Sequence, residues 1–208
     1  MGARFGLGTT AAAAVAALVA CAAQEPAAPP APPPQIPTIA APTSASRAAV
    51  MTDRELPDDC ELIVPVEVVN QRIGREMAGE LKQITGIPEP SLGRTAKVDC
   101  YYDVGEHQEI TSAPLIIGLA TYADPPTATE RVRDSVQAER EAGGAVTEVD
   151  VGPQKGFLIS TGDQRLLVGS LGKTTFVTRA RAGFVPEEHV RPVLSDLAAR
   201  SMTPTEGI

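Results

Sequence analysis

From Leu56 onward the apolar residues recur with two alternating periods, one near 3.6 that marks helix and one of two that marks strand. Pro65 suits the first position of a helix in which Val66, Val69 and Ile73 recur, and Gly74 is a ready stop. Residues 77–84 read as a strand, followed by a loop carrying Gly86, Pro88, Pro90 and Gly93. The clearest alternation runs from Lys97 to Val104, with Val98, Cys100, Tyr102 and Val104 on one face and Lys97, Asp99, Tyr101 and Asp103 on the other. Leu115 to Ala123 is apolar on both faces, the mark of a central strand. Pro125-Pro126 ends it, and Thr127 to Glu130 forms a capping box for the best helix, which reaches about Ala142 before Gly143-Gly144. The apolar stripe of that helix is thin: Ala128, Val132 and Val136.

Strands are expected at about 146–151, 156–161, 165–171 and 174–181, the last two joined by a tight turn at Gly172-Lys173. A final helix over about 190–200 presents Val190, Val193, Leu194 and Leu197, with Pro192 near its first turn. Helices separated by runs of several strands imply antiparallel pairing. The expected fold is α+β, a single antiparallel sheet of about six strands with helices packed on one face. A β-sandwich is the runner-up.

The first 48 residues follow neither period. Arg4 and the amino terminus precede an uncharged run from Phe5 to Ala20. At about 1.5 Å per residue a helix of that length falls short of a bilayer core of about 30 Å, which favours a cleaved export signal over a permanent span. Leu18-Val19-Ala20-Cys21 resembles a bacterial lipobox. The resemblance implies that Cys21 becomes the mature amino terminus and carries a diacylglyceryl thioether. Two acyl chains suffice for stable anchoring. Eight of the nineteen prolines lie between Pro26 and Pro42, interleaved with alanine, where a chain near polyproline II is expected. The plan is therefore a lipoprotein signal peptide (1–20), a lipidated cysteine with a disordered Ala/Pro-rich stalk (21–48), and one extracytoplasmic domain (49–208).

The net charge of −8 repels phosphate backbones, so nucleic acid is not an expected partner. The membrane, reached through the anchor, is. Besides Cys21 there are only Cys60 and Cys100, an even pair in a segment expected outside the cytoplasm, where disulfides persist. A shared zinc would need two more ligands, and no histidine stands at suitable spacing.

No spacing assigns a catalytic, cofactor-binding or metal-ligating residue. Gly169 to Thr174 looks superficially like a phosphate loop, but Leu167 stands where its first glycine is needed and strand, not helix, follows Lys173. His107 lies in a polar turn and His189 at the start of the last helix, neither with an HExxH partner. Ser160, Ser170 and Ser195 lack a nearby base, and no stretch has EF-hand spacing.

Asp59-Cys60-Glu61-Leu62, the helix ending in Ile73-Gly74 and the later Cys100-Tyr101-Tyr102 resemble an actinobacterial, mycobacterial-type lipoprotein group, that of domain-of-unknown-function 3558. The likeness covers about residues 55–205. The group brings no catalytic residues to carry over. The expectation is a lipid-anchored, non-enzymatic module at the outer face of the cell membrane that binds an envelope lipid, a small apolar ligand or a partner protein, without a cofactor. An envelope hydrolase using His107 or His189 and a structural assembly protein are the alternatives. A binding role predicts a cavity or apolar patch beside the Val132/Val136 helix.

Overall fold

The computed structural model describes residues 50–204. The expectations placed on residues 1–49, the signal, the Cys21 anchor and the stalk, lie outside the described residues. Helix α1 (Val66–Ile73) precedes strands β1 (Glu80–Gly86), β2 (Arg94–Val104) and β3 (Leu115–Tyr122). Helix α2 (Pro125–Glu141) leads to β4 (Ala145–Val151), β5 (Gln154–Ser160), β6 (Gln164–Leu171) and β7 (Thr174–Arg181), and α3 (Glu187–Ser201) closes the fold. The strands form one sheet in the order β1-β2-β3-β7-β6-β5-β4, antiparallel throughout. Two meanders, β1 to β3 and β4 to β7, therefore meet at the β3–β7 pair, and α2 carries the chain from β3, inside the sheet, to β4 at its edge.

The α+β class with one antiparallel sheet is as expected, with two corrections. The strands number seven, not six. The helices also do not share a face: Val69 of α1 and Leu194 and Leu197 of α3 pack with Cys100, Ile117 and Phe176, while Val132 and Val136 of α2 pack with Ile159 and Val168 on the other side. All eight residues of β3 are buried, which is the physical reason. A strand apolar on both faces needs cover on both.

Local chemistry moves several boundaries. The cap of α2 is Asp124, whose Oδ1 accepts the Thr127 N–H at 2.8 Å, so Pro125 and Pro126 lie inside the first turn rather than before it. Proline suits that turn because its missing N–H has no intrahelical acceptor there. Hydrogen bonding from Thr127 holds the Asp124 carboxyl below its usual pKa. Helix α3 starts at Glu187, with Glu187 and Glu188 favoured by the positive end of the helix dipole, which puts Pro192 inside the helix rather than near its first turn. Val104 faces away from Val98, Cys100 and Tyr102. Asp103 takes φ 63 where the β1–β2 register slips between Glu80 and Lys82, and this bulge turns Val104 to the α2 side of the sheet, against Ala113 and Ile116.

The Gly169–Thr174 stretch is the end of β6, the turn and the start of β7, as expected. Gly172 has φ 58, and the Lys173 N–H and Thr174 hydroxyl both donate to the Asp53 carboxylate, at 3.0 and 2.9 Å. Asp53 thus ties the incoming chain to the central hairpin. Met51 is buried beside it, and the Thr52 N–H donates to the Met202 carbonyl.

Cys60 and Cys100 are disulfide-bonded, with Cα atoms 5.6 Å apart. The bond pins the turn before α1 to β2. Next to it the fully buried Tyr102 hydroxyl donates to the Val64 carbonyl at 2.6 Å. Tyr102→Phe leaves that carbonyl buried without its partner, at an expected cost of about 1–3 kcal/mol in denaturant unfolding. Burial raises the Tyr102 pKa far above the ordinary tyrosine range. The neutral phenol is thus favoured in the folded state, so this contribution is intact below the unfolded pKa of about 10 and is lost as pH rises beyond it. The Phe variant should show a shallower alkaline decline in stability than wild type, and equal declines would remove Tyr102 as the cause.

Candidate functional site

The α2 side of the sheet is only partly covered. Three small apolar residues seat α2, Val132 and Val136 against Ile159 and Val168 and Ala128 against Ala120 and Tyr122, too few to close it down on the sheet along its whole length. A groove follows its flank. One end is a cavity of ≈ 150 Å³ between α2 and β2, β3 and β7. The other, ≈ 320 Å³, opens toward β6 and the later turns of α2. Both are lined by Arg131, Ser135, Val168 and Val177, so they form one continuous feature. Arg131, Ser135 and Ala138 stand at i, i+4 and i+7, which puts them along one side of the helix. Val168, Val177 and Leu166 make an apolar floor.

Its charges are distributed unevenly. The smaller cavity is lined by Arg94, Lys97 and Arg131 against one carboxylate, Asp99. Lys97 Nζ lies 2.7 Å from Asp99, and Arg94 Nη2 donates to Glu89 at 2.6 Å. Arg94 Nε is buried with no hydrogen-bond partner. Arg131 has no carboxylate within 4.0 Å among the described residues. Gly118 makes room for Asp99, since a Cβ there would lie 2.5 Å from Asp99 Oδ1. The larger cavity balances Arg131 and Arg179 with Asp134 and Glu139. Close by, burial and then the Asp99 charge raise the Tyr101 pKa, and Arg179 opposes them.

Nothing in the groove pairs a nucleophile with a base. The Ser135 hydroxyl donates to the Arg131 carbonyl at 2.9 Å, which leaves it a helix-internal group. Among the described residues no group of three His, Cys, Asp or Glu side chains could hold a metal. His107 sits in the β2–β3 connection with φ 59, its exposed ring 3.3 Å from the equally exposed Glu106. His189 is exposed in the first turn of α3. Neither histidine lines the groove.

The groove lies beside the Val132/Val136 helix, where a binding role predicts a cavity, and the charges along it were not foreseen. Lys97, Asp99 and Tyr101 were legible as the polar face of β2, but polar faces usually meet solvent. What puts them beside Arg131 and Arg179 is the pairing of β3 with β7, a contact between distant parts of the chain that no local pattern encodes.

No family model and no curated protein matches the chain. Among solved structures it is similar to the extracellular domain of PknH from Mycobacterium tuberculosis, with a TM-score of 0.44 and 10% identity over 67% of this chain and 92% of that one. No helix of the described residues is long and apolar enough to cross a membrane.

Proposed function

We propose that this chain is a lipid-anchored extracytoplasmic lipoprotein of the domain-of-unknown-function 3558 type whose folded domain is a non-enzymatic binding module for an envelope lipid or small apolar ligand. The observation that carries the reading is the groove beside α2, with a continuous apolar floor and polar walls but no activated nucleophile. Ligand sites are mostly apolar concavities with a few placed polar groups, and this one fits that description. The Cys60–Cys100 bond suits an oxidising compartment, and the run Leu18 to Cys21 supplies the anchor.

Native mass spectrometry of the full chain, exported in an actinobacterial host and extracted from its membranes, tests both halves. We expect an acylated amino-terminal peptide beginning at Cys21 and a discrete bound mass that is lost on denaturation. An unacylated amino terminus overturns the anchor. A bare domain in every preparation overturns the small ligand and leaves a partner protein as the occupant.

A further inference from the structure

We propose that the groove takes an amphiphile with a single anionic head, a carboxylate or phosphate monoester, placed in the smaller cavity with its apolar chain running along α2 into the larger one. This deepens the proposed binding role and rests on it. In a chain of net charge −8, the smaller cavity gathers three cationic side chains, Arg94, Lys97 and Arg131, against Asp99 alone. Lys97 is matched by Asp99, and Arg94 is matched at one end only. Its Nη2 is held by Glu89, while its Nε is buried without an acceptor. Arg94 lines the cavity and Glu89 does not, so the Arg94 charge adds to the positive potential at this end.

Among the described residues Arg131 is the cation of this cavity with no carboxylate within 4.0 Å. It is half-buried on the wall shared by both cavities, where a guanidinium can offer paired donors to a planar or tetrahedral oxyanion. The polarity changes along the groove. Beyond Arg131 the floor is Val168, Val177 and Leu166, which suits an aliphatic chain. Beyond Arg131 the two carboxylates Asp134 and Glu139 stand against Arg179 alone, so a second anionic group finds no excess positive charge there. The two ends thus define a direction, head by Arg94 and Arg131, tail toward Ala138.

Photoaffinity labelling of the full chain in washed host membranes reads this directly. The probes are a diazirine-bearing alkyl phosphate, the alkyl alcohol of the same length, and the alkyl trimethylammonium. The phosphate is expected to label peptides from α2 and β6–β7. Arg131→Gln should lower that labelling at least about tenfold, the worth of one charge-assisted hydrogen bond. Arg133→Gln, on an exposed position of α2 outside the groove, should leave it unchanged. Equal labelling of the groove by the alcohol or the ammonium, or no effect of Arg131→Gln, overturns the anionic head while the binding module stands. Label from every probe falling outside the groove overturns both. Competition by inorganic phosphate as effective as by unlabelled alkyl phosphate overturns the amphiphile in favour of a simple anion. Competition by the alkyl phosphate alone supports it.

Discussion

Truncating Phe176 to alanine is expected to lower the free energy of unfolding by about 3–5 kcal/mol, the range for a fully buried core aromatic. Phe176 is fully buried at the centre of β7, the strand that joins the two meanders. Its ring lies over Gly169, its direct partner on β6, so closely that a Cβ there would come within 2.3 Å of the ring. Gly169 therefore has no side chain to move into the space the ring would vacate. Collapse is the usual relief for a large-to-small change, and here the nearest neighbour is backbone. For a domain of this size each kcal/mol shifts the melting midpoint by about 2–4 °C, which gives a fall of roughly 6–20 °C. Denaturant unfolding with an unchanged slope would confirm that the loss is native-state packing. A loss below about 1.5 kcal/mol would mean that helix α3 or the sheet closes the gap after all.

The same pairing explains what the sequence disclosed and what it withheld. The span of β7 could be read almost to the residue, because Thr174 to Arg181 alternates and Gly172 marks the turn before it. That β7 inserts beside β3 could not be read, since nothing local distinguishes the neighbour Ile117 from any other buried strand residue. The two-sided burial of β3 was visible in Leu115 to Ala123, and it already argued against helices on a single face. Weighing each strand for cover on both sides would have predicted α2 opposite α3. The bulge at Asp103 was harder, because an alternating run gives no sign of where the alternation will slip. At the site, the thin stripe Ala128, Val132 and Val136 announced a helix too narrow to cover its sheet, and this was the legible part. The charges at the groove came together through tertiary pairing alone.

Removing the disulfide with Cys60→Ala/Cys100→Ala is expected to cost about 4 kcal/mol, from the loop entropy released to the unfolded chain by a cross-link spanning 40 residues. The melting midpoint should fall by roughly 8–16 °C. The segment it pins has other ties. The Gln83 side chain accepts from the Cys60 N–H at 3.0 Å and donates to the Asp58 carbonyl at 2.7 Å, and Tyr102 holds the Val64 carbonyl. The alanine variant should therefore fold with β1 and β2 in register, and its loss should appear in the global transition. These ties are not independent of the bond, because all of them hold residues 58–64 against the same face of β1 and β2. With the disulfide intact, Tyr102→Phe strands a carbonyl that cannot leave the interior, and the full penalty is expected. Without it, the segment can peel back and rehydrate that carbonyl, so the same substitution should cost less. A double-mutant cycle between the cysteine pair and Tyr102 should then give a coupling of roughly 0.5 kcal/mol or more. Additive losses would mean that the tyrosine, and not the disulfide, decides whether this turn stays on the sheet.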